Sequence, residues 1–88
     1  MATYRLLIKT SARKELEAVG PARSDRQRIV QRIQRLASEP RPPGCEKLRG
    51  SEDRYRVRQG SYRIVYEVDD AARTVTVVKV GHRRDVYR

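Results

Sequence analysis

The sequence predicts an α+β domain: one strand, a two-helix hairpin, then a three-stranded antiparallel meander, with both helices packed on one face of a single sheet. Three observations carry this. Apolar residues alternate over 4–9 and again over three runs near 54–59, 62–68 and 73–80, the period of strands with one buried face. Between them, apolar residues recur at helical spacing. The stretch "EPRPPG" at 39–44 can continue no helix and makes a stiff connector between the halves.

In the first strand, Tyr4, Leu6 and Ile8 alternate with Arg5 and Lys9, and Leu7 predicts burial on both faces. Thr10 or Ser11 starts a helix that carries Ala12, Leu16 and Val19 until Gly20-Pro21 interrupts. The second helix has Ser24 as its cap, with Gln27 three residues on. Its apolar stripe is Ile29, Val30, Ile33, Leu36 and Ala37, while Arg26, Arg28, Arg32 and Arg35 mostly face away as a solvated surface. After the connector comes "EKLRGSED", and the three later runs break at Gly60-Ser61 and at Asp69-Asp70-Ala71-Ala72, both turn-forming, with Gly81 ending the last. No repeat or second domain interrupts this order, so residues 1–88 form one domain, with a core as small as 88 residues allow.

Composition narrows the function. The formal charge is +10, and 17 of the 21 basic residues are arginine, an excess that favours a polyanionic partner, nucleic acid or an acidic protein. The single cysteine, Cys45, excludes an internal disulfide and fits a reducing compartment. No apolar run approaches the roughly 20 residues of a membrane span, and "MATYRLLIKTSARKE" has no secretory pattern. A cytoplasmic protein without membrane contact is expected. His82 is the lone histidine and no ligand spacing surrounds it, so neither metal nor cofactor is expected. Cys45 has no histidine partner for nucleophilic work, and no glycine-rich phosphate loop is present.

The hairpin "RYRVRQGSYRIVYEV" at 54–68 concentrates the charge. With Gly60-Ser61 as a two-residue turn, Gln59 pairs with Tyr62, Arg58 with Arg63, Val57 with Ile64, Arg56 with Val65, Tyr55 with Tyr66 and Arg54 with Glu67. Alternation then puts Tyr55, Val57, Tyr62, Ile64, Tyr66 and Val68 under the helices. Arg54, Arg56, Arg58, Arg63, Val65 and Glu67 occupy the open face. Arg54 and Glu67 form an ordinary cross-strand ion pair, whereas Arg58 facing Arg63 costs stability. Three guanidinium groups converge with one carboxylate near, as expected of a phosphate site whose ligand supplies the missing charge. A longer turn would shift the pairing by one residue and leave the arginines splayed in water. Val65 and Val78 would be apolar anchors for a partner on this face.

Tyr87 lies beyond the last strand, beside Arg83, Arg84 and Arg88. Neighbouring cations favour phenolate, which suits proton transfer; a frayed terminus without a role accounts for these residues equally well.

"KLRG", "YRVRQGSYRIVYEV" and "VTVVKVGHRRDVY" together resemble the RelE/ParE superfamily of bacterial and archaeal toxins, on the RelE side. The resemblance covers nearly the whole chain. It implies a toxin of a type II toxin–antitoxin system: a ribosome-dependent, metal-independent endoribonuclease that cuts mRNA in the A site and is held inactive by a cognate antitoxin in a hetero-oligomer. The family's site falls on Arg56 and Arg58, on Arg63, on Arg83 and on Tyr87. Arg54, His82 and Arg84 would contact RNA. The implied reaction is attack of the ribose 2′-OH on the adjacent phosphate, with arginines on the charge that develops there. Well-studied members carry lysine where this chain has Arg56 and Arg58. Arginine cannot usefully be deprotonated, which leaves Tyr87 and His82 as candidates for the base. The alternative is a ParE-like toxin that inhibits DNA gyrase, or a catalytically weak homologue that mainly binds its antitoxin.

Overall fold

The computed structural model describes residues 3–19, 23–50 and 53–82. In chain order these form β1 (Arg5–Ile8), α1 (Thr10–Glu17), α2 (Arg23–Arg35), β2 (Glu46–Lys47), β3 (Arg54–Gln59), β4 (Tyr62–Asp69) and β5 (Thr74–His82). Among the described residues the strands make one five-stranded sheet in the order β1-β5-β4-β3-β2. The meander β3-β4-β5 is antiparallel throughout. β1 runs parallel to β5, pairing Leu6 with Val75 and Ile8 with Val77. The predicted α+β class and element order therefore hold, with β2 added at one edge.

α1 starts at Thr10, as the sequence predicts, but its cap is Lys9 in extended conformation and no side chain caps it. α2 begins one residue before Ser24, and the side chain of Ser24 lies outside the described residues. The helices bury Ala12, Leu16, Val19, Ile29, Ile33 and Leu36 against Val57, Ile64, Tyr66, Val68, Val75, Val77 and Val80. Both helices thus cover one face of the sheet, because each presents one apolar stripe and each strand alternates.

Two expectations about the sheet are corrected. Leu7 is not buried on both faces; it is 44 % exposed. Its strand is an edge, and its side chain stands on the face the helices leave uncovered. The second concerns β5, which Gly81 does not end: Gly81 pairs with Arg63 and the strand runs on to His82, with Val78 as an extra, bulged residue between the Tyr66–Val77 and Val65–Lys79 pairs.

Tethers hold the ends of the sheet. The Tyr4 amide donates to the Ala37 carbonyl (2.7 Å), which ties the start of β1 to the end of the helical hairpin. Glu15 of α1 accepts from the Val80 amide (3.1 Å) and from the Lys79 ammonium (3.2 Å). β1 ends opposite Val77, so among the described residues no strand flanks the rest of β5 on that side, and the carboxylate supplies an acceptor there.

Candidate functional site

The β3–β4 hairpin has the pairing that the two-residue turn predicts: Arg54 faces Glu67, Arg56 faces Val65, and Arg58 faces Arg63. Gly60 has φ +62°, and glycine at the first central position suits the type II′ turn of a tight hairpin. Arg54 donates to Glu67 at 2.8 Å. Val57, Ile64, Tyr66 and Val68 lie in the core, and Tyr55 and Tyr62 pack against it.

The opposite face is less open than the sequence predicts. Arg63 is 5 % exposed and Val65 6 %. β4 is the middle strand, so each of its side chains has cross-strand neighbours on both sides. Val65 lies between Arg56 and Lys79, and the aliphatic stems of such residues cover apolar surface. Val65 is therefore no exposed anchor for a partner, and Val78 is half-buried.

The charge balance also changes. Glu46 of β2 stands opposite Arg56 and accepts from its guanidinium at 3.0 Å, with the Arg56 side chain 14 % and the Glu46 side chain 56 % exposed. Two carboxylates, not one, thus serve the hairpin arginines: Glu67 takes Arg54 and Glu46 takes Arg56. Arg58 is exposed, and among the described residues no carboxylate pairs with it. Arg58 and Arg63 share one face as neighbours, the exposed guanidinium beside the buried one.

His82 does not join them. It faces Tyr62 across the β4–β5 ladder and meets the tyrosine ring edge-on, with centroids 5.7 Å apart. This is the helix-covered side, where Glu15, Val19, Tyr62, Val80 and His82 line a groove of ≈ 280 Å³. Arg83, Arg84, Tyr87 and Arg88 lie outside the described residues.

A second cluster escaped the sequence reading. Arg41, in the proline-rich connector, donates to both carboxylate oxygens of Asp70 (3.2 and 2.9 Å) and to the Tyr55 hydroxyl (2.9 Å). Its guanidinium lies 5.2 Å from the Tyr55 ring centroid, and that ring stacks on Tyr66 at 5.9 Å. Tyr4 donates to Asp70 at 2.6 Å. Arg41 and then Tyr4 hold the Asp70 carboxyl below its ordinary range, and the same hydrogen bond raises the Tyr4 phenol. The Tyr66 hydroxyl donates to the Pro40 carbonyl at 2.7 Å; burial, then Cys45 nearby, pushes its phenol up. These bonds fix the connector onto the sheet, and β2 with Glu46 follows directly from it. Asp69-Asp70 still makes the turn its composition predicts, Asp69 accepting from the Ala72 amide at 3.0 Å.

Among the described residues no group of three or more His, Cys, Asp or Glu side chains could hold a metal ion, and no helix is long and apolar enough to cross a membrane. Residues 6–87 match the family described as the ParE toxin of type II toxin–antitoxin systems, parDE. The chain belongs to the RelE/ParE toxin superfamily. Within that superfamily it is similar to toxin RelG of Mycobacterium tuberculosis, 31 % identical over 90 residues, 97 % of each chain. A putative RelE-like toxin protein of Escherichia coli is 32 % identical over 88 residues, 96 % of this chain and 90 % of that one. Among solved structures, the archaeal RelE–RelB complex from Pyrococcus horikoshii superimposes with a TM-score of 0.80 at 29 % identity, covering 92 % of this chain and 96 % of the other. The protein is a type II toxin on the RelE side of the superfamily, and those RelE-like relatives argue against the gyrase alternative.

Proposed function

We propose that this RelE-like toxin cleaves mRNA in the ribosomal A site. The observation that carries the reading is the placement of Arg58 directly across from Arg63 on the face the helices leave uncovered. Like charges placed opposite one another cost stability, and a phosphate between them supplies the opposite charge in bidentate geometry. The ribose 2′-OH attacks the adjacent phosphorus and loses its proton to a base. The P–O5′ bond breaks, the leaving oxygen takes a proton, and the products are a 2′,3′-cyclic phosphate and a free 5′-OH. Arg58, Arg63 and Arg83 stabilise the charge developing on the phosphate oxygens. Arg54 and Arg84 add contacts along the RNA backbone.

Tyr87 serves as the proton-transfer group. His82 is the weaker candidate, because its register with Tyr62 turns it toward the helix side, away from Arg58 and Arg63. Arg56 has a different part from the family's lysine: its guanidinium is paired with Glu46 and cannot act as a base. The partner that restrains the toxin is an antitoxin in a hetero-oligomer, a reading supported by the likeness to the RelE–RelB complex. An acidic segment that folds on binding would neutralise the arginine face.

The test adds purified wild-type protein and a Tyr87→Phe variant to stalled ribosomes with mRNA in the A site and maps the 5′ ends. Cleavage confined to the A site and much slowed in the variant supports both the reaction and the role of Tyr87. Cleavage unaffected by the variant moves proton transfer elsewhere. No cleavage by either protein overturns the nuclease reading.

A further inference from the structure

The Glu46–Arg56 pair has a consequence for how the arginine face meets RNA. β2 is two residues long, and both are charged. Its place is set from outside: the connector before it is clamped by Arg41 to Asp70 and Tyr55, and the Leu48 amide after it donates to the Arg54 carbonyl at 2.9 Å. What the strand delivers to the face is one carboxylate, directly opposite Arg56 and within 3.0 Å of its guanidinium. The Glu46 side chain is 56 % exposed and that of Arg56 14 %, so the carboxylate covers the guanidinium from the solvent side, where a competing anion would have to take its place.

We propose that Glu46 is a specificity-determining residue: it occupies Arg56 as an internal stand-in for phosphate, and so restrains the toxin from binding free RNA. The proposal rests on the RNA-binding reading of this face. With Glu46 in place, Arg58 and Arg63 meet an unstructured RNA without help from Arg56, and each additional phosphate contact must first displace the carboxylate. On the ribosome, where the mRNA backbone is held in position, that exchange is favoured by proximity. Off the ribosome it is not, and the binding of a +10 protein to bulk RNA is correspondingly reduced.

The experiment measures binding of a fluorescently labelled, unstructured single-stranded RNA to purified toxin across a salt series. The proteins are wild type, Glu46→Gln, Glu46→Gln/Arg56→Gln and Arg58→Gln. Glutamine keeps the size and the acceptor oxygen of Glu46, so β2 stays in register. Releasing one cation to phosphate should steepen the log K against log salt slope by about 0.7 for a single strand. Between about 50 and 200 mM salt this is an extra loss of about 2.5-fold in affinity. The double variant should return to the wild-type slope. A wild-type slope in Glu46→Gln overturns the proposal, and so does a steeper slope that survives in the double variant, since removing any negative charge would then suffice. Arg58→Gln separates this failure from that of the functional reading. Weakened binding there, with no effect at Glu46, sinks the stand-in role alone. Unchanged binding in Arg58→Gln removes the RNA-binding reading, and this proposal with it.

Discussion

Arg58 stands directly across the β3–β4 ladder from Arg63, an exposed guanidinium beside one that is almost fully buried. The two differ as targets for mutation. Truncating Arg63 empties a filled position in the middle strand and should destabilise by about 1–3 kcal/mol. Arg58→Thr instead removes one partner of a like-charge pair from an exposed strand position. Urea unfolding of Arg58→Thr should show unchanged stability or a gain of up to about 1 kcal/mol. A loss larger than that would mean Arg58 holds the hairpin together.

Tyr66 ties the connector to the core through its hydroxyl, which donates to the Pro40 carbonyl at 2.7 Å. Tyr66→Phe keeps the ring and its stacking on Tyr55 and should cost about 1 kcal/mol. The phenol's ionisation is raised by burial, then by Cys45, so the fold favours the protonated form. That contribution is present below the ordinary tyrosine value of 10.0 and is lost as pH rises above it. In a spectrophotometric titration, one phenol should ionise only with unfolding. Ionisation of every phenol while the protein stays folded would contradict this.

The Asp70 cluster acts at the other end of the pH range. Its carboxyl lies below the ordinary value of 3.8 because Arg41, then Tyr4, donate to the charged form. A depressed value means stability present above the ordinary value and lost as pH falls below it. Thermal melts of Asp70→Asn, taken from about pH 6 down to about pH 2, should fall less steeply toward acid than those of the wild type. Parallel curves would show that the cluster contributes nothing.

Glu15 accepts from the Val80 amide beyond the end of the β1–β5 ladder. In Glu15→Ala that amide loses its acceptor. Hydrogen exchange at Val80 should accelerate while Val75 and Val77, which β1 covers, stay protected. Equal rates in both proteins would show that the edge is shielded by something other than the carboxylate.

The hairpin was legible in the sequence because two signals agree there: a Gly-Ser turn with positive φ at Gly60, and strict alternation in both strands. The helix stripes were legible for the same kind of reason, three of their buried positions recurring at Ile29, Ile33 and Leu36. What escaped is non-local or lacks a pattern. β2 is Glu46 and Lys47, two charged residues in a row, so neither propensity nor alternation marks them. The exposure of Leu7 depends on β1 lying at the sheet edge, which no local window contains. The bulge left a trace, since Val77 and Val78 break the alternation of β5. The Arg41–Asp70 clamp joins residues 29 positions apart through a connector whose prolines announce only stiffness. Burial of Arg63 follows from strand order, and its pairing with Arg58 from the turn.

The most direct test of the arginine face as an RNA-cleaving site is the single-turnover rate of A-site mRNA cleavage by Arg58→Ala, against wild type on the same stalled ribosomes. The expected result is A-site products with free 5′-OH ends for the wild type, and a rate lower by about 10²–10³ for the variant, the loss typical of removing one transition-state donor. Equal rates for the two proteins, with the same product ends, would contradict the assignment of cleavage to this face.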